Sequence, residues 1–207
     1  MEHHAASPTP GGLVAFAVAC YTFTGVFGGF VGADGLFLLG CWLLGGFVVQ
    51  ILVASKEIDH GVQLGGNVFL FFQGFFMLTG AISSMAKYLC LFVWETPYNT
   101  TVEGLGWLAC TLALIMWTPG YLKTSNKPFA AAVVITDIAL IGVVLNDLYL
   151  LGAAAPIVKP IVAICLAIAG SLGIYVASAI QLNSSFGRTV LPLGTPWIKE
   201  KTADPAN

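Results

Sequence analysis

The sequence has 207 residues, of which 57% are apolar and only 9% are charged, with a formal net charge of -2 at pH 7. Soluble globular domains carry about 25% charged residues, so this composition excludes an ordinary soluble fold. The 8 basic residues are scattered along the chain, which excludes a basic patch, and we expect no nucleic-acid partner.

Charge-poor apolar stretches recur along the chain. A membrane-spanning helix needs roughly 20 apolar residues. Stretches of this kind lie at about 11–32, 35–55, 61–86, 104–122, 128–151 and 157–182. They leave only short tails and connections, so we expect one transmembrane domain over 1–207, an all-α bundle of six helices in the lipid bilayer. Residues 88–94 fit either a long, tilted third helix or an interfacial segment after it.

The basic residues predict the orientation of the bundle. With six spans both tails lie on one side, and basic residues favour the cytoplasmic side. Two lysines, Lys87 and Lys159, fall on the other side. The side of the tails holds Lys56, Lys123, Lys127, Arg188, Lys199 and Lys201. We therefore expect a multi-pass protein of the cell membrane (inner or plasma membrane) with both termini cytoplasmic.

Polar residues inside the spans are few, and each one is costly in hydrocarbon. Asp137 is the costliest, because it lies within the fifth span. It has two interpretations: a helix-to-helix or subunit contact with a hydroxyl such as that of Thr136, or a proton relay. We expect Asp147, near the outer end, to be hydrated. At 100° per residue, Ile135 and Asn146 fall within about 20° of each other and can line one path, whereas Asp137 is turned about 160° from Ile135.

The sequence contains no HExxH, GxSxG or P-loop motif, and its histidines His3, His4 and His60 lie outside the spans. We expect no enzyme activity, no cofactor and no metal. The cysteines all lie in apolar stretches without a CxxC spacing, which favours small buried hydrophobic side chains over disulfides. The glycine pairs within the spans favour tight helix packing.

Two terminal motifs resemble those of a known family. The segment FGRTVLPLG at 186–194 closely resembles the C-terminal signature of the acetate uptake transporter family, the YaaH-type acetate and succinate permeases. The segment SPTPGGLVAF at 7–16 is similar to that family's Asn-Pro-Ala-Pro-Leu-Gly-Leu element, with Ser7 in place of Asn and able to cap a helix as Asn does. The matching positions are Pro8, Pro10, Gly12, Leu13, Phe186, Gly187, Arg188 and Thr189.

This resemblance implies a homohexamer of six-helix protomers, each with its own path for acetate and other short carboxylates, including succinate. The family's constriction of Phe, Tyr and Leu is similar here to Phe16, Gln73 (or Phe72 if the register shifts by one) and Ile135. Candidate substrate-binding residues are Gln50, Asn146, Tyr175 and Gly173.

Three functions stay open at this point. The leading one is an anion channel or proton-coupled symport permease for short carboxylates. Neutral donors would coordinate the substrate, and acetic acid itself would carry the proton through an apolar neck. The alternatives are a channel for ammonia or another small neutral solute, for which we expect His or carboxylate groups in the pore, and a membrane scaffold, for which we expect no continuous polar path.

Overall fold

The computed structural model describes residues 6–198. Within that range six helices are long and apolar enough to cross a membrane, and no strand is present. This confirms the all-α, six-transmembrane-helix bundle. The helices are α1 (Thr9–Phe27), α2 (Leu36–Asp59), α3 (Gln63–Phe92), α4 (Thr101–Thr124), α5 (Lys127–Asp147) and α6 (Ala155–Phe186).

The helix ends differ from the apolar stretches where the backbone turns. α1 stops at Phe27, before the expected 32, because Gly29 takes a positive φ of 74°. α5 stops at Asp147, before the expected 151, where Tyr149 has a φ of 59°. α3 continues to Phe92, so residues 88–94 belong mainly to a long third helix.

Both described ends of the chain lie at the same end of the bundle, which we call the terminal end. The Thr9 hydroxyl at the start of α1 donates to Glu57 at the end of α2, and Ile198 N donates to Leu122 O near the end of α4 at 3.0 Å. Four of the basic residues in the orientation argument belong to this end: Lys56, Lys123, Lys127 and Arg188. His3, His4, Lys199 and Lys201 lie outside the described residues.

Small residues let the helices approach closely. A Cβ added at Gly46 of α2 would lie 2.7 Å from the sulfur of Met77 on α3, and one added at Gly170 of α6 would lie 2.9 Å from Cβ of Cys20 on α1. Such contacts leave no room for a larger residue. Because lipid tails are as apolar as the helix surfaces, this kind of close packing is a main source of helix association in a membrane.

The third helix contains a π-helical segment, Phe72–Thr79. The wider turn leaves backbone carbonyls without their usual donors, and Thr79 Oγ1 donates to Gly74 O, five residues earlier, at 3.0 Å. π-bulges of this kind frequently mark functional sites. The π-helical segment also changes the helix phase at Phe72 and Gln73. These are the two residues that the sequence left as alternatives for one position of the predicted constriction.

The outer surface is apolar, as a bilayer requires. Exposed large side chains include Phe30, Leu38, Trp42, Met116 and Ile157. Cys20 and Cys110 are buried, as expected, whereas Cys41 is exposed. At the end opposite the termini, Lys87 Nζ of α3 pairs with Glu103 Oε2 of α4 at 2.6 Å, and this ion pair links two helices.

A narrow apolar cavity as the candidate transport path

A cavity lies inside the bundle toward the terminal end. Five of the six helices contribute to its wall. Its lining consists of Leu13, Phe16, Gln50, Val68, Phe69, Phe72, Leu114, Tyr121, Phe129, Ala132, Val133 and Thr136. It lies near the start of α1, α3 and α5 and near the end of α2 and α4, so these antiparallel helices enclose one space.

The cavity is small and almost entirely apolar. It offers about 40 Å³ to the centres of water-sized groups. One water molecule needs roughly 10–15 Å³ of such space. The cavity therefore suits a solute of a few heavy atoms. Its polar side chains are Gln50, Tyr121 and Thr136, and no lysine, arginine, histidine or carboxylate is among the lining residues.

Aromatic rings continue from the cavity toward the opposite end of the bundle. Phe16 packs edge-on against Phe72, with ring centroids 6.3 Å apart. Phe72 in turn packs against Phe76 at 5.5 Å, and Phe76 packs against Trp107 at 5.3 Å and Phe23 at 5.1 Å. These rings join α1, α3 and α4 and form a continuous apolar cluster next to the cavity.

Gln50 is the most buried polar side chain of the site, with a relative exposure of 0%. Its Nε2 donates to Gly12 O at 3.4 Å, a long hydrogen bond, and its Oε1 has no hydrogen-bond partner. The other two polar side chains already use their hydrogens: Tyr121 donates to Leu64 O at 3.4 Å and Thr136 donates to Ala132 O at 2.8 Å.

The constriction predicted from the sequence is only partly assembled in the structure. Phe16 and Phe72 meet at the cavity, whereas Gln73 is buried outside the lining and its Oε1 has no hydrogen-bond partner. Phe72, and not Gln73, therefore stands opposite Phe16. Ile135 is half-buried and packs against the main core, because Ala132 and its neighbours on another face of α5 line the cavity instead.

The other candidate substrate-binding residues lie away from the cavity. Gly173 acts through Phe16: a Cβ there would lie 3.2 Å from Phe16 Cδ1, so the glycine makes room for the ring. Tyr175 donates through its hydroxyl to Pro192 O at 2.7 Å and so holds the tail. Asn146 donates to Asp147 Oδ1 at 2.8 Å, near the end of the bundle opposite the termini.

The two aspartates of α5 are buried, and each forms a hydrogen bond with a neighbouring side chain. Asp137 accepts a hydrogen bond from Thr118 of α4 at 2.6 Å, so the hydroxyl partner is Thr118 and not the neighbouring Thr136, whose hydroxyl bonds within its own helix. Asp147 is 7% exposed, and the expectation of a hydrated Asp147 was wrong. Tyr149 follows the end of α5, and hydrogen bonding from Thr100 lowers the pKa of its phenol.

The C-terminal motif is a strap that folds back over the terminal end. Gly187 ends α6 in a left-handed conformation with a φ of 60°. Asn183 then holds the returning chain: its Oδ1 accepts from Val190 N at 2.6 Å and Leu191 N at 3.0 Å, and its Nδ2 donates to Leu191 O at 2.9 Å. Phe186, Arg188 and Thr189 are exposed.

The N-terminal motif opens α1. Pro8 is the N-cap, and Ser7 does not cap the helix but shares a hydrogen bond with Thr9 Oγ1 at 2.9 Å. Pro10 falls in the first turn, where a backbone donor is not needed. Gly12 and Leu13 follow on the buried side: a Cβ on Gly12 would lie 2.7 Å from Phe69.

Several site residues were not recognised in the sequence. Tyr121, Phe129 and Thr136 line the cavity, and their only signal would have been helix phase on α4 and α5. The role of Asn183 depends on a chain that returns from eight residues later. Long-range contacts of this kind leave no local sequence pattern.

Six apolar spanning helices around a narrow cavity define the class of a multi-pass membrane protein. No protein-family model matches the sequence. The chain is 26% identical over 189 residues to the "Succinate-acetate/proton symporter SatP" of Escherichia coli K12, covering 91% of this chain and 95% of that protein. SatP of Shigella flexneri gives the same values.

A solved structure has the same fold. The "Structure of the bacterial acetate channel SatP" matches with a TM-score of 0.77 at 23% identity, covering 92% of this chain and 99% of that one. The chain is therefore homologous to SatP, in agreement with the resemblance of its terminal motifs. Since these relatives are a symporter and a channel, the homology also supports a protein that is not an enzyme.

Proposed function

We propose that the protein transports acetate and related short mono- and dicarboxylates, such as succinate, across the cell membrane through one path in each protomer. The observation that carries the proposal is the small cavity of Gln50 next to the Phe16–Phe72 constriction. The homology to SatP over nearly the whole chain supports the substrate class.

The cavity explains how such a path would discriminate. A ring of apolar side chains admits a methyl group and excludes large polar solutes, and it stays non-conducting while dry. The amide of Gln50 replaces part of the hydration that a carboxyl group gives up. We expected a histidine or a carboxylate in an ammonia path, and the lining contains neither. The cavity therefore does not favour ammonia as the substrate.

Two further parts of the proposal concern the assembly. We place both termini in the cytoplasm, as the distribution of basic residues favours. We also propose a homohexamer. An open groove between α1, α2 and α6, lined among others by Gly11, Val14, Trp42 and Gly45, offers a small-residue surface that a neighbouring protomer would cover.

The experiment is uptake of labelled acetate into proteoliposomes, with and without an inward proton gradient, after subtraction of empty liposomes. Phe16→Ala tests the constriction. Its matched control is Phe30→Ala, the same change at a phenylalanine that is 83% exposed. We expect protein-dependent uptake that unlabelled short carboxylates inhibit and that Phe16→Ala alters, while Phe30→Ala leaves it unchanged. A folded protein that gives no uptake above empty liposomes would disprove the proposal.

A further inference from the structure

The polar groups of the cavity include an acceptor that a carboxylate anion cannot satisfy. Gln50 Oε1 is buried and has no hydrogen-bond partner, and the hydroxyls of Tyr121 and Thr136 already donate to backbone carbonyls. A buried carbonyl without a partner is destabilising, so this oxygen favours a solute that brings a hydrogen. Water or an O–H or N–H group can supply one, and a carboxylate cannot.

An ionised carboxylate is also poorly matched by the charge of the site. No cationic side chain lines the cavity. Moving an isolated carboxylate from water into an apolar environment is costly, and the cost falls away only if the charge is paired or neutralised by a proton. In this cavity Gln50 Oε1, which is itself a hydrogen-bond acceptor, would repel the carboxylate and add to that cost.

A protonated carboxylic acid matches the amide of Gln50 at both of its groups. The acid O–H donates to Gln50 Oε1, and the acid C=O accepts from Gln50 Nε2, which gives a cyclic pair of hydrogen bonds. Nε2 carries a second hydrogen besides the one that it donates to Gly12 O at 3.4 Å, so the pair does not require that bond to break. The methyl or ethyl group of the acid then lies against Phe16 and Phe72.

We propose that the cavity binds short monocarboxylic acids in their neutral, protonated form, with Gln50 as the residue that recognises the –COOH group. This inference rests on the proposed function and names the transported species. A carboxylate takes up one proton on one side of the membrane, the neutral acid passes, and the proton dissociates on the other side. The net reaction is the movement of one carboxylate with one proton, and no protein side chain has to titrate.

Acetamide is the probe that separates this mode from anion binding. It is a neutral isostere of acetic acid with a donor and an acceptor in the same places, so it can form the same cyclic pair at any pH. Trifluoroacetate stays ionised at every pH at which the protein can be handled, and propionate controls for its larger size. Protein-dependent uptake of labelled acetate is measured with each of the three as an inhibitor, and acetamide entry is measured separately by stopped-flow osmotic swelling.

The variant is Gln50→Met, which keeps the length of the side chain and removes the amide. Its control is Gln63→Met, the same change at an exposed glutamine at the start of α3. Elution from size exclusion and the thermal midpoint show whether each variant folds. We expect acetamide and propionate to inhibit acetate uptake and trifluoroacetate to have no effect. We also expect acetamide swelling to be at least tenfold faster in wild-type proteoliposomes than in Gln50→Met, and unchanged in Gln63→Met.

Two results would overturn the inference: inhibition by trifluoroacetate as strong as that by propionate, or acetamide swelling no faster than in empty liposomes. Failure of the proposed function has a different signature, because wild-type protein would then give no acetate uptake while acetamide swelling still reports on the cavity. If Gln50→Met does not fold, the comparison of the three probes on wild-type protein decides the question alone.

Discussion

Thr118 Oγ1 of α4 lies 2.6 Å from Asp137 Oδ2 of α5, in the interior of the bundle, and 2.9 Å from Leu114 O in its own helix, so its single hydrogen is shared between the two acceptors. Neither Thr118 nor Asp137 lines the cavity. The most costly polar residue of the fifth span is thus used to join two helices, which is the contact interpretation of Asp137. Its other oxygen, Oδ1, has no hydrogen-bond partner, so the aspartate depends strongly on Thr118.

Replacing Thr118 by valine should destabilise the protein without changing transport selectivity. The change leaves a buried carboxyl group without a hydrogen-bond partner. We expect the free energy of unfolding to fall by roughly 1–3 kcal/mol, and by more if the group is charged. Thr118→Ser keeps the hydroxyl and is the matched control. Thermal unfolding in detergent is expected to show a lower midpoint for Thr118→Val than for Thr118→Ser. Equal midpoints for the two variants would contradict the importance of this bond.

Enlarging the constriction should relax the selection by size. Phe72→Ala removes the ring that stands 6.3 Å from Phe16 and 5.5 Å from Phe76. We expect the rate for butyrate relative to acetate to rise severalfold in proteoliposome uptake. The same ratio should stay at its wild-type value in Phe75→Ala, because Phe75 is 58% exposed on the outside of α3. A ratio that rises equally in both variants would place selectivity elsewhere.

The bundle could be predicted from the sequence because its cause is local: a bilayer requires apolar helices of a minimum length, and length and charge can be read directly. The site could be predicted only in part. Phe16 follows from the N-terminal motif, but the choice between Phe72 and Gln73 depends on the π-helical segment that starts at Phe72. Ile135 was placed on the path by the family resemblance and by helix phase within α5, whereas the packing of the neighbouring helices decides which face of α5 meets the cavity.

A methyl group at Gly173 should impair transport more than stability. Its Cβ would lie 3.2 Å from Phe16 Cδ1, so the ring must shift into the constriction. Gly106→Ala is the matched control, because nothing lies within 4 Å of the position its Cβ would take. We expect a severalfold loss of acetate uptake for Gly173→Ala. For Gly106→Ala we expect unchanged uptake and a thermal midpoint that is equal or higher, since alanine favours a helix over glycine by about 1 kcal/mol. Full uptake in Gly173→Ala would show that the position of Phe16 does not limit transport.

Removing the side chain of Asn183 should release the C-terminal strap. Asn183→Ala loses the hydrogen bonds to Val190 and Leu191, so the chain around Arg188 should become more mobile. Trypsin cleavage after Arg188 in detergent, followed by mass spectrometry, is expected to be about tenfold faster, which corresponds to about 1.4 kcal/mol. Asn67→Ala loses only a bond within its own helix and serves as the control. Similar cleavage rates in both variants would mean that Tyr175 and Leu193 hold the strap without Asn183.

Cysteine labelling in intact cells should place the terminal end in the cytoplasm. That end carries Lys56 and Lys123 in the last turns of α2 and α4 and Lys127 at the start of α5, whereas Lys87 at the other end is paired with Glu103. A thiol introduced by Leu150→Cys, at a position that is 65% exposed between α5 and α6, should react with a membrane-impermeant maleimide in intact cells. A thiol introduced by His60→Cys, exposed between α2 and α3, should react only after lysis.

Wild-type protein gives the background from the native cysteines. The opposite pattern would invert the orientation, and labelling of both positions in intact cells would indicate a mixed insertion in which the few basic residues do not suffice to fix one topology.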